Sequence, residues 1–127
     1  MKYVDGFVIT VPNDKIDEYR EMAKMGEKIW MKHGALEYFE CVGEDLEPGN
    51  MPGTTFLKMA NTRPGETVIF SFIIFESREH RDKVNMLVMN DPMMNDPAWT
   101  DKTMPFDIER MAYGGFKVIV EGKKDGT

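Results

Sequence analysis

Cysteine is nearly missing: of 127 residues one is a cysteine, Cys41. A single thiol excludes an internal disulfide framework and fits a reducing compartment. Positive charge is also in deficit, with 16 Lys and Arg against 22 Asp and Glu, a formal charge of −6. Lys123-Lys124, near the end, is the only basic cluster. Nucleic-acid phosphate and an anionic membrane both require a basic footprint, so neither is expected as a partner. No apolar run approaches the length of a membrane span, and Asp5 interrupts the opening MKYVDGFVI. No signal peptide is therefore expected, and the expected location is the cytoplasm. Histidine occurs twice, at His33 and His80. The chain has no zinc-type Cys/His set, phosphate loop, dinucleotide fingerprint or nucleophile elbow, so no cofactor and no metal is expected.

What the chain does have is one dominant strand. Residues 67–76, TVIFSFIIFE, form the longest apolar run, bounded by Pro64-Gly65 and Ser77, with Ser71 the one polar side chain in its interior. A β-branched and aromatic run without alternation reads as a strand buried on both faces. Residues 4–11 form a second strand with large apolar groups on both sides. Residues 15–33 repeat apolar positions at Ile16, Tyr19, Ala23 and Trp30, the stripe of a core-facing helix. Asn13 or Asp14 is expected to cap it, and His33-Gly34 to stop it. Residues 35–44 form a strand and residues 46–53 a loop. Residues 56–61 are expected to run extended and to form a hairpin with residues 66–76. Ser77 caps a second helix over residues 78–90, with His80, Val84, Leu87 and Val88 on one face. The segment PMMNDPAWTDKTMPFD has no period, and its Trp99 and Phe106 imply that it folds back over something apolar. Residues 113–121 form the last strand, where Gly114-Gly115 signals a bulge or a close backbone approach.

The order strand, helix, strand, strand, helix, strand is the split βαβ of an α+β, ferredoxin-like fold: an antiparallel sheet with two helices on one face. Residues 1–121 read as a single domain and 122–127 as a charged tail. The first and third strands become central, as their two-sided apolarity requires. The sheet face without helices stays apolar, and a second copy packed sheet to sheet is the simplest cover, which predicts a homodimer. The twelve methionines read as adaptable core and interface filler.

The segments YVDGFVITVP, HGALEYFE, ETVIFSF, RDKVNMLVMNDP and above all MPFDIERMAYGGF resemble the YbaA-like bacterial domain of unknown function. The resemblance covers the chain to about residue 120. It implies the dimeric α/β-barrel arrangement, whose superfamily includes small monooxygenases, dehalogenating or isomerising enzymes and stress-related proteins. Some of those monooxygenases work without a cofactor.

Two clusters could carry chemistry. Asp107, Arg110 and Tyr113, with Arg81 from the second helix, could form a polar pocket mouth in which arginine holds an anionic or carbonyl group and Asp107 or Tyr113 exchanges a proton. The same residues have a structural reading: Asp107 caps a turn and Arg110 pairs with Asp82 or Asp91. Tyr38 and Glu40 share a strand face near Ser71, where a carboxylate enclosed by a barrel could act as a base; half-solvated, it would simply face water. Asp5 poses the same question. His80, near a helix N-terminus, is either a neutral base or a packing residue. Two functions stay open. One is a cofactor-independent enzyme, monooxygenase- or isomerase-like, acting on a small organic molecule in an apolar pocket. The other is a non-catalytic stress-related or ligand-binding dimer in which those residues lock the assembly.

Overall fold

The computed structural model describes residues 1–125; residues 126 and 127 of the expected tail lie outside the described residues. Strand β1 (Tyr3–Pro12) is followed by helix α1 (Ile16–Lys32), strand β2 (Glu37–Val42), the short helix α2 (Phe56–Met59), strand β3 (Glu66–Phe75), helix α3 (Arg78–Met89), the short helix α4 (Pro97–Thr100) and strand β4 (Ala112–Lys117). The sheet order is β2-β3-β1-β4, with every pairing antiparallel. This is the ferredoxin-like α+β arrangement, and its two central strands are the two that are apolar on both faces.

Register assigns each strand's faces. Cα pairing of Ile9 with Ile69, Phe7 with Ser71, Asp5 with Ile73 and Tyr3 with Phe75 puts these residues on one side of the sheet. Across β2, Glu40 pairs with Ser71 and Tyr38 with Ile73, so both join that side. The helices cover it. Ile29, Ile73, Phe75, Val84 and Val88 form one buried cluster and Ile9, Val11, Tyr19, Ala23 and Ile69 another.

Helix α1 ends as its sequence dictates. Gly34 takes φ 109°, a left-handed conformation that costs glycine little. The Gly34 N–H then donates to Met31 O, and the Ala35 N–H to Trp30 O, closing a Schellman motif. The start differs from expectation. Neither Asn13 nor Asp14 caps the helix; the 3₁₀ turn Asn13–Lys15 leads into it without a side-chain cap. The Asn13 N–H is instead taken by the Gly65 carbonyl at 2.8 Å. In α3, Ser77 caps as expected, accepting from the His80 N–H at 3.0 Å.

Residues 56–61 are not extended. Thr55 caps α2 by accepting from the Lys58 N–H, and Asn61 turns the chain with φ 54°. The physical reason is occupancy: both edges of β3 are taken, one by β1 and one by β2, so no ladder is left for another strand. The hairpin partner of β3 is β2, and residues 43–65 form its long connection. Gly114-Gly115 produces no bulge, because the β1–β4 register runs through it unbroken. It is a close approach instead: a Cβ on Gly115 would run into the Tyr3 ring.

The face without helices carries an aromatic row. Phe39 stacks on Phe72 with centroids 4.9 Å apart, Phe72 meets Phe70 at 5.6 Å, and Phe70 meets Phe56 at 6.1 Å. Phe39, Phe70 and Phe116 are 42%, 43% and 62% exposed, so within one chain the row is only half covered.

Candidate functional site

A groove of about 710 Å³ opens between α1 and the segment that follows α3. One wall is the α1 face that presents Met22, Met25 and Trp30; the other carries Met94, Trp99 and Met104. Tyr38 and Glu40 of β2 form the floor. A smaller cavity of about 260 Å³ on the other flank of α1 shares Ala23, Tyr38 and Glu40. The irregular segment thus folds back over apolar surface, as its aromatics imply. Its two short turns are capped by side chains: Asp91 accepts from the Met93 N–H at 2.8 Å and Asp96 from the Ala98 N–H at 2.9 Å. The buried Asp91 also binds His33 Nε2 at 2.7 Å and Lys32 Nζ at 3.0 Å, fastening the wall to the end of α1. The Met93 N–H, then His33 and Lys32, hold the Asp91 carboxyl well below the usual carboxylate range.

Glu40 is the most constrained polar group in the groove. The Tyr19 hydroxyl donates to its Oε1 and the Tyr38 hydroxyl to its Oε2, each at 2.7 Å. Burial, reinforced by the Glu40 carboxylate alongside, pushes both phenols well above their ordinary range. Both therefore stay protonated, and Glu40 is an acceptor with its orientation fixed. Ser71 is buried and paired with Glu40 across the ladder, on the same face of the sheet. Tyr19 was legible only as part of the core stripe of its helix; its hydroxyl function appears when β2 passes beneath.

Arg110 occupies a different place. Its guanidinium binds Glu66 through both nitrogens, at 2.7 and 2.9 Å, and donates to the Asn61 carbonyl at 3.0 Å. Its partner is Glu66, not Asp82 or Asp91. Asp107 caps the turn Ile108–Arg110 by accepting from the Glu109 N–H at 3.0 Å. The group fastens the approach to β4 onto the start of β3. Tyr113 is 75% exposed. The Arg110 hydrogen bonds hold the Glu66 carboxyl down at about 2, against an ordinary 4.5. A depressed carboxylate adds stability that is fully present above the ordinary value and lost as pH falls toward the folded one. Glu66→Gln is therefore expected to melt below wild type at pH 7. The two melting temperatures should converge as pH drops from about 4.5 toward 2, because acid takes from wild type what the substitution has already removed. A gap that stays constant across that range would contradict this.

Arg81 is far from Arg110. It binds Asp5 Oδ1 at 2.9 Å and lies over the Tyr3 ring, 4.9 Å from its centroid. Asp5 aligns with Ile73, and Glu66 lies seven residues away along β3, or roughly 23 Å at strand rise. The two arginines thus stand at opposite ends of the sheet and do not share a pocket mouth. Asn85, one turn after Arg81, donates to Asp5 Oδ2 at 3.2 Å, and Trp30 Nε1 donates to Asn85 Oδ1 at 3.0 Å. The buried Asp5 therefore closes a network reaching the Trp30 wall of the groove. Arg81 Nε lies 2.9 Å from Asp82 Oδ1, an ion contact without hydrogen-bond geometry. His80 accepts the Glu76 N–H through Nδ1 at 3.0 Å and meets Phe75 edge-on at 5.9 Å, a packing and capping position.

Among the described residues no cluster of His, Cys, Asp and Glu could hold a metal ion, and no helix is long and apolar enough to cross a membrane. A family described as a protein of unknown function, DUF1428, matches residues 2–108. The uncharacterized protein YbaA of Escherichia coli K12 is 43% identical over 121 residues, covering 95% of this chain and 99% of that protein. The YbaA protein of Shigella flexneri matches equally. A solved structure from an uncultured marine organism, described as a dimeric ferredoxin-like protein, superposes with a TM-score of 0.60 at 8% identity, covering 96% of this chain and 100% of that one. At that identity the likeness concerns the fold.

Proposed function

Because this chain belongs to the DUF1428 family of proteins of unknown function, we propose its role from the groove: it works as a homodimer that binds a small, largely apolar organic molecule, with Glu40 as the polar anchor. The observation that carries the reading is the Glu40 carboxylate, oriented by two tyrosine hydroxyls on the floor of a groove of about 710 Å³ walled by Met and Trp. Such sites combine apolar walls with a few fixed polar groups that set orientation. If the bound molecule reacts, Glu40 is the group placed to take its proton, with Tyr38 and Ser71 beside it. Asp107 and Arg110, engaged with Glu109 and Glu66, fit the lock rather than the pocket. The dimer is supported by the half-covered aromatic row and by the marine ferredoxin-like protein, which is described as dimeric.

The test is thermal stabilisation by a metabolite library, read on wild type, Glu40→Gln and Arg110→Ala. A ligand at a hundred times its Kd stabilises by about 2.7 kcal/mol, so a true ligand gives a clear shift. The expected hit stabilises wild type and Arg110→Ala alike and loses about tenfold in affinity with Glu40→Gln. A ligand lost in Arg110→Ala but kept in Glu40→Gln would move the site to the other cluster. A library with no hit on wild type would remove the binding reading.

A further inference from the structure

The lining of the groove narrows the chemistry of its occupant. We propose that the ligand is an organic cation, an ammonium group carried on an apolar body; this rests on the groove reading above. Three carboxylates, Glu18, Glu21 and Glu40, line the groove against one cation, Lys102. Glu21 is shared with Lys24 at 3.3 Å. Glu40 has no cationic partner among the described residues; its hydrogen-bond donors are the two neutral hydroxyls. A carboxylate on an apolar floor gains most from an opposite charge brought into the same enclosure. A neutral hydroxyl can donate one hydrogen bond to it but brings no opposite charge, and a ligand without any N–H or O–H leaves its remaining lone pairs without a donor. An anionic ligand would meet it as a like charge, with Lys102 the one cation in the groove lining; Arg20 and Lys24, on the smaller cavity that shares Glu40, are already engaged with Asp17 and Glu21.

The aromatic walls point the same way. The Trp30 and Tyr38 rings lie 6.2 Å apart at 41°; both belong to the groove lining, and Trp99 stands on the opposite wall. Aromatic faces carry the negative end of the ring quadrupole and attract cations, indole most strongly. Trp99 already holds one: the Lys102 ammonium sits 4.5 Å from its ring centroid. That lysine is exposed and belongs to the groove wall, so an incoming ammonium can take over the indole face that Lys102 occupies.

The chain has two tryptophans, and both line the groove, so intrinsic fluorescence reports occupancy directly. Phenethylammonium, 2-phenylethanol and 3-phenylpropanoate share one apolar body and differ in charge. Titrated against wild type, the ammonium is expected to bind about tenfold tighter than the alcohol, and the carboxylate weakest. Glu40→Gln should weaken the ammonium by about tenfold and the alcohol by less, so that most of the preference for the ammonium is lost. Lys102→Ala, on the exposed wall, should tighten the ammonium by freeing the Trp99 face. Binding of the alcohol or the carboxylate as tightly as the ammonium would overturn the cation inference and leave the groove reading standing. Weakening of the ammonium by Lys102→Ala would overturn it as well. If none of the three changes the fluorescence, the cation inference falls, and the groove reading is decided separately by the metabolite library.

Discussion

Asp5→Ala is expected to destabilise the fold by about 3 kcal/mol, the lower end of the range for removing one partner of a buried ion pair. In a chain of this length that is a fall in melting temperature of roughly 10 °C or more. The lower end applies because Arg81 keeps 20% of its side chain exposed while Asp5 keeps 9%. The cost is not one lost contact. Asp5 receives Arg81 on one oxygen and Asn85 on the other, so its removal leaves the half-buried guanidinium with only the exposed Asp82 as counter-charge and the Asn85 amide N–H without its acceptor. Trp30, tied to Asn85, loses the support that orients its indole on the groove wall. Equilibrium denaturation would give the magnitude. The double variant Asp5→Ala, Arg81→Met should recover part of the loss, because removing both partners costs less than orphaning one. If the single and double variants are equally destabilised, the loss comes from the packing of Asp5 and not from the stranded charge.

That network marks the limit of what the chain discloses before folding. The two-sided apolarity of β1 and β3 follows from the residue pattern along each strand, and the order of elements then makes them central. The caps at Ser77 and Gly34 are local, with donor and acceptor a few residues apart, so they can be read directly. Arg81 stands out in the sequence as a candidate; Asn85, one turn further along α3, carries no signal of its own. Their target, Asp5, is 76 and 80 residues away, and only the β1–β3 register brings it beneath them. Glu66 was hidden for the same reason: 44 residues separate it from Arg110, while Asp82 and Asp91 looked nearer in sequence. The extended reading of residues 56–61 failed on a tertiary fact, the occupation of both β3 edges, that local propensity does not contain. The floor of the groove was half legible. Tyr38 and Glu40 share a strand face by simple alternation, but Tyr19 reaches Glu40 from the helix, and a core stripe does not reveal which of its members carries a useful hydroxyl.

Phe70→Glu and Phe116→Glu are expected to turn the proposed dimer into monomers at micromolar concentration. Both residues lie on the face without helices: Phe70 pairs with Val8 and Cys41 in the central ladder, and Phe116 with Val4 at the β4 edge. At 43% and 62% exposure they bury little within one chain, so a carboxylate there is solvated in the monomer and the fold survives. In a sheet-to-sheet dimer the same carboxylate is enclosed without a counter-ion. Interface anchors of this kind are worth at least about 2 kcal/mol each. Two-fold symmetry enters every substitution twice, so the dissociation constant should rise on the order of a thousandfold. Sedimentation across a concentration series measures it. Circular dichroism on the same samples checks that the monomer stays folded. A wild-type chain that sediments as a monomer would remove the dimer outright. Dimers that persist in both variants would move the interface away from the aromatic row and leave that row for another occupant. The outcome also bears on the groove, which lies on the helix side of the sheet. A folded monomer that still binds ligand through Glu40 would show that each subunit's site is complete on its own, with the dimer serving to cover the sheet.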